Sequence, residues 1–177
     1  MRTIRFRHLM SEANGPLLRL RDTCWPIKKI LVCSGGLAYT IRLEKMAIEL
    51  AKLSGAGLTI LHVVEPVTLD YSLAREVQNH WTRLIETDTP QAHHLQKVLA
   101  AAKADGVDAH VAVRHGQVVE EILTEVKTGQ YDLIGLGSVY SSHTLSGLYR
   151  PDVTALVAAA VACPILTMRG KQTDTFT

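Results

Sequence analysis

Cysteine is scarce in this chain of 177 residues: Cys24, Cys33 and Cys163 are all it has. An odd number at such distant spacing excludes a disulfide framework and matches no metal-ligand pattern. Cys33 and Cys163 fall in or beside apolar runs, where a thiol behaves as a small apolar side chain. A reducing cytoplasm is the expected compartment. Long apolar runs are missing too. No stretch approaches about 20 apolar residues, so no helix is expected to cross a bilayer. The first residues carry arginine without an apolar segment, which argues against a secretory signal. An excess of one charge is also lacking, since 19 Lys and Arg stand against 17 Asp and Glu. A nucleic-acid partner would call for a clustered basic face. The one basic bunch, Arg2, Arg5, Arg7, Arg19, Arg21, Lys28 and Lys29, reads as a solvated tail, the lesser alternative being contact with an acidic surface.

Catalytic signatures are absent as well. The chain has no Gly-x-Ser-x-Gly elbow, no phosphate-binding loop ending in Gly-Lys-Ser/Thr and no His-Glu-x-x-His. No Gly-x-Gly-x-x-Gly opens the first helical pattern, which excludes an ordinary dinucleotide enzyme. His93 and His94 are adjacent, so on a helix they point in different directions and cannot clasp one metal.

What is present is an ordinary globular composition, 47% apolar and 20% charged, arranged as short β-branched runs alternating with helical patterns. Lys29-Ile30-Leu31-Val32-Cys33 reads as a buried strand stopped by Ser34-Gly35-Gly36. Leu43, Met46, Ala47, Leu50 and Ala51 then share one helical face, closed by Gly55. Residues 58–64 form a second strand. A long middle segment follows, weakly helical over about 70–87 through Leu73, Val77, Trp81 and Leu84. It becomes clearly helical once Thr89 caps and Pro90 takes the first position, with Leu95, Val98, Leu99 and Ala102 as its stripe. Residues 108–114 alternate as a third strand. Gly116 precedes a helix with Val118, Val119, Ile122, Leu123 and Val126 inward. Residues 131–137 are a fourth strand, which Asp132 begins. Val153, Leu156, Val157, Ala160 and Val161 mark the last helix, and Pro164–Met168 a fifth strand.

Five strands separated by helices predict a doubly wound α/β fold, an open parallel sheet covered on both faces as a three-layer sandwich. The expected organisation is an extension over 1–27, one domain over 28–169 and a polar tail over 170–177. Within the extension, Leu17-Leu18-Arg19-Leu20-Arg21 reads either as a short edge strand, with Trp25 on apolar surface, or as an unstructured leader. Ligands of such sheets bind beyond the carboxyl ends of the strands, where strand order reverses. Those ends are Ser34–Gly36, Val63–Glu65, Arg114–Gly116 and Gly137–Ser142.

Lys29-Ile30-Leu31-Val32, Leu61-His62-Val63-Val64, Gly116 before a helix, Tyr131-Asp132-Leu133-Ile134-Gly135-Leu136-Gly137-Ser138, Val153-Thr154-Ala155-Leu156-Val157 and Cys163-Pro164-Ile165-Leu166 occur in that order. In them the chain resembles the universal stress protein family over about residues 27–168. The resemblance implies a sheet ordered 3-2-1-4-5 and a homodimer built through the last strand, about Pro164–Met168. In many members it also implies bound ATP or another adenine nucleotide.

The family's nucleotide-binding members carry a small acidic residue after the first strand. A loop of glycine, two residues, glycine, nine residues, then glycine and a hydroxyl residue opens their last helix. Glycines let backbone N–H groups approach phosphates, and a helix N-terminus favours negative charge. Here the acidic position corresponds to Gly35. The first glycine is Gly137, followed by Ser138, and the second corresponds to Tyr140. The final pair corresponds to Pro151 and Asp152, in a loop one residue longer. Pro151 has no N–H to offer, and Asp152 sets a carboxylate where an anion would sit. Like charges about 4 Å apart repel by about 1 kcal/mol in water and by more in a drier cleft.

The candidate ligand site therefore comprises Cys33, Ser34, Gly35 and Gly36 on the first strand end and Val63 on the second. Leu136, Gly137 and Ser138 follow on the fourth. Tyr140, Ser141, Ser142 and Arg150 come from the loop, with Asp152 and Val153 opening the last helix. The loop hydroxyls, with Thr144 and Ser146, and the Arg150 cation suit a polar or anionic ligand; the alternative is a serine-rich surface loop. His62 reads as a core or hydrogen-bonded histidine, while His115 and His143 flank the ligand edge. The expected function is binding and regulation in stress response, without enzyme activity and without ordinary ATP binding. The alternative is an adenine-nucleotide sensor, for ATP or AMP, with a remodelled loop, and a small-molecule enzyme ranks last. The chain is expected to act through contacts with protein partners, and no nucleic-acid partner and no membrane insertion are expected.

Overall fold

The computed structural model describes residues 26–35, 40–65, 81–138 and 153–169. Their strands are β1 (Lys29–Cys33), β2 (Gly57–Val64), β3 (Ala109–His115), β4 (Leu133–Ser138) and β5 (Ile165–Arg169). All pairings are parallel, and the sheet runs β3-β2-β1-β4-β5, the expected order. The helices are α1 (Ile41–Ser54), α2 (Pro90–Ala104), α3 (Val118–Gly129) and α4 (Val153–Ala160).

Alternation along each strand divides the core in two. Ile30 and Val32 of β1 join Leu58, Ile60 and Val64 of β2 under α1 and α2. Leu31 faces the opposite side with Leu61, Ile134 and Leu136, under Ile122 of α3 and Val157 of α4. Fully burying one such aliphatic side chain stabilises by roughly 1.5–3 kcal/mol, so these two layers hold the sheet between its helices.

The helix ends follow local chemistry. Thr89 Oγ1 accepts the Ala92 N–H at 3.2 Å, and Pro90 opens α2 where its missing N–H is no loss. Gly55, at φ 71°, closes α1 in the left-handed conformation. Gln130 closes α3 in the same conformation without glycine's freedom, at φ 54°. Arg114 Nε donates to Glu125 Oε2 at 2.8 Å and Tyr131 Oη to Glu125 Oε1 at 2.7 Å, which ties α3 to edge strand β3. Burial, then that bond to Glu125, pushes the Tyr131 phenol up to about 12.

Some expected faces are corrected. Met46 was expected inward with Leu43 and Ala47, but it is exposed and Leu50 only half-buried; Glu44 and Ile48 are buried instead. The cause is α2, which covers the Glu44 flank of α1 and leaves the Met46 flank in water. Leu156 is likewise exposed, because short α4 buries only the Val157 side. Over the middle segment, residues 66–80 lie outside the described residues. Trp81–Glu86 is a 3-10 helix with Leu84 buried, not the continuation of an α-helix. Strand β5 starts one residue late, since Pro164 has no N–H for the ladder, although its carbonyl accepts from Ile134 N at 3.0 Å.

Asp132 stitches the amino ends of β1 and β4. Its Oδ2 accepts the Lys28 and Lys29 N–H groups at 2.8 and 3.0 Å, and its own N–H donates to Lys29 O at 2.9 Å. Replacing Asp132 by Ala is expected to cost about 1 kcal/mol in denaturant unfolding, with Asp132→Asn costing less because an amide oxygen still accepts.

Candidate functional site at the strand-order reversal

The chain leaves β1 toward β2 on one side, and β4 continues to β5 on the other. The carboxyl ends of β1 and β4 therefore flank the crevice where open α/β sheets hold ligands. Cys33 stands in register with Leu61 of β2 and Leu136 of β4. Ser34 N donates to Leu61 O at 2.8 Å, which carries the ladder one residue past β1. His62 Nδ1 lies 3.0 Å from the Ser34 carbonyl. A carbonyl only accepts, so Nδ1 carries the hydrogen. Burial holds His62 below the usual histidine range, opposed by this bond, so the ring is neutral at neutral pH.

Gly137, one residue before the end of β4, stands where a side chain has little room. A Cβ there would stand 3.1 Å from Thr40 Cγ2, so its bareness lets the start of α1 close against the sheet edge. Cys33, Val63 and Val153 meet on the opposite face, packed against the core under α3 and α4. Leu136 is buried in that core, so it can offer a ligand only backbone. Burial pushes the Cys33 thiol up to about 12, helped by the negative Glu125, and it stays a poor nucleophile. Ser138 pairs with Arg169 in the ladder, and Gly35 lies half-buried just beyond β1. Gly36, Tyr140, Ser141, Ser142, Arg150, Pro151 and Asp152 lie outside the described residues, as do Thr144, Ser146 and His143. His115 does stand at the edge, with Nε2 buried and unbonded.

Two residues of this edge, Thr40 and Glu44, were not singled out from sequence, and His94 was weighed there only as a metal ligand. Glu44 is completely buried in the first turn of α1. Its Oε1 accepts from Thr40 Oγ1 at 2.7 Å, and His94 Nε2 reaches its two oxygens at 3.0 and 2.9 Å. The available signal was a carboxylate in line with the apolar Ile48 and Ala51. Among the described residues no group of three His, Cys, Asp or Glu is placed to hold a metal ion. A cleft of about 210 Å³ lies at the other end of the sheet, lined by Lys52, Gly55, Asp105 and Asp108 among others.

The family profile described as Universal stress protein family matches residues 26–169. No curated protein matches the sequence. Among solved structures, a universal stress protein in complex with cAMP is similar at 21% identity and TM-score 0.60, covering 82% of this chain and 98% of that one. An Arabidopsis thaliana universal stress protein family protein with AMP bound is 17% identical at TM-score 0.53, over 81% of this chain and 92% of that one. The universal stress protein from Archaeoglobus fulgidus in complex with dAMP is 11% identical at TM-score 0.53, over 80% and 96%. At these identities the likeness is one of fold.

The neutral His62 gives the edge a pH signature. Its folded-state pKa lies below the ordinary 6.5, so its contribution to stability is present above 6.5 and is lost as pH falls through the lowered value. His62→Gln keeps a donor for the Ser34 carbonyl and removes the proton site. Unfolding free energy measured against pH should therefore fall less steeply below 6.5 in His62→Gln than in the wild type.

Proposed function

The chain belongs to the universal stress protein family, and on that premise we propose that it is a binding and regulatory protein of stress response, without catalysis of its own. Its sheet edge takes a polar ligand and does not hold ATP in the ordinary way. The observation that carries this reading is the mismatch between scaffold and loop. The scaffold keeps Gly137 bare beside Thr40 where the strand order reverses. The loop residues that would cradle a triphosphate read Tyr140, Pro151 and Asp152, and the acidic position after β1 is Gly35. Two of these replace bare glycine, one adds a negative charge at a helix start, and one removes a carboxylate.

A second reading, an adenine-nucleotide sensor, is favoured by one specific observation. The three neighbours above were solved with cAMP, AMP and dAMP, each with a single phosphate. A single phosphate asks less of the loop than three.

We place the protein in the cytoplasm as a homodimer joined through β5. Strand β5 ends the sheet, which leaves its outer edge without a strand partner among the described residues. Among the described residues no helix is long and apolar enough to cross a membrane.

Isothermal titration of the full chain with ATP and with AMP, each with and without magnesium, tests these readings. The main reading expects no heat from ATP below millimolar concentration. Micromolar ATP binding, about −8 kcal/mol, would overturn it. AMP binding without ATP binding would favour the sensor. Replacing Pro151 by Gly and Asp152 by Ser together is expected to strengthen phosphate binding.

A further inference from the structure

We propose that the Glu44–His94 pair is a positioning device for the sheet edge, holding Thr40, and with it the start of α1, against Gly137. The proposal rests on the reading of that edge as the ligand site. Glu44 sits in the first turn of α1, where unpaired backbone N–H groups favour a negative charge. Three polar contacts meet on its two oxygens, one from Thr40 and two from His94. The His94 side chain is only 11% exposed, so the pair is closed from water and joins α2 to α1.

Stability alone does not account for a carboxylate here. Removing a charge from water is unfavourable, and well-packed apolar residues in place of a buried ion pair are often neutral or stabilising. Ile41, Ile48 and Ala51 show that this part of α1 accommodates apolar side chains. An apolar residue cannot accept the Thr40 hydroxyl. That hydroxyl makes no capping bond to α1 and is turned to Glu44 instead. Threonine is stiff about its first side-chain bond, so fixing the hydroxyl also fixes the methyl. The methyl is the group that faces Gly137. At the end of β1, His62 holds the Ser34 carbonyl at 3.0 Å. The two ends of the β1–α1 connection are therefore each held by a buried polar side chain, His62 at Ser34 and Glu44 at Thr40.

The test is the double variant Glu44→Leu with His94→Leu in the full chain, read by thermal unfolding, by the NOE between the Thr40 methyl and Gly137 Hα, and by titration with AMP. The double variant is expected to unfold at or above the wild-type midpoint, to lose the NOE, and to bind AMP about tenfold more weakly. A folded double variant that keeps the NOE overturns the proposal, as does one that loses it while binding AMP unchanged. If the wild type itself gives no heat with AMP, the nucleotide reading falls and the NOE still decides whether the pair positions Thr40. Should the double variant not fold, Glu44→Gln decides. It keeps an oxygen for Thr40 and is expected to keep the NOE, and its loss there would overturn the account.

Discussion

Strand β1 sits between β2 and β4, and the rest of the structure depends on that double pairing. Its residues Ile30, Leu31 and Val32 are the most buried run in the described chain, supplying both core layers in alternation. Because β1 is held from both sides, its carboxyl end cannot drift. The Ser34 N–H extends the ladder by one bond, and Cys33 is pinned by register to Leu61 and Leu136. Asp132 closes the same pair of strands at the other end. The strand-order reversal that makes the crevice follows from β1 and β4 being neighbours whose outgoing connections diverge.

Upon that frame the sequence places two kinds of residue at the edge. Small ones, Gly35 and Gly137, leave backbone uncovered. Buried polar ones, Ser34, Thr40, Glu44 and His62, set where that backbone stands. Buried polar groups are favourable only when bonded, and here each contact runs to a group on the edge or to α2. The strand ends at the reversal thus owe their arrangement to packing and internal hydrogen bonds. In sequence, the segment between β4 and α4 departs from the family's glycine pattern at Tyr140, Pro151 and Asp152.

Most of the fold was legible in the sequence because the signals were local. Alternating β-branched runs marked the strands, Thr89-Pro90 marked a helix start and Gly55 a helix end, and each appears in its expected place. The errors arose where a neighbour decides. A helical wheel cannot say which flank of α1 meets α2, so Met46 was read as inward and Glu44 was not read at all. The same limit applies to Leu156 on α4. At the edge, Ser34, Gly35, Val63 and Gly137 were read from strand ends and Val153 from the start of the last helix. His62 was legible as a bonded core histidine, although its partner, the Ser34 carbonyl, lies 28 positions away. The Glu44–His94 contact joins residues 50 positions apart and has no local signature.

The central claim is that packing and internal bonds alone form the sheet edge, before any ligand arrives. Residue-resolved amide hydrogen exchange of the full chain, without added nucleotide, tests it most directly. The Ser34 amide, bonded to Leu61 O beyond the end of β1, is expected to exchange as slowly as those of Leu31 and Val32 in the sheet centre. A Ser34 amide that exchanges like a surface loop, while Leu31 and Val32 stay protected, would contradict the account and mean that the edge forms only around a ligand.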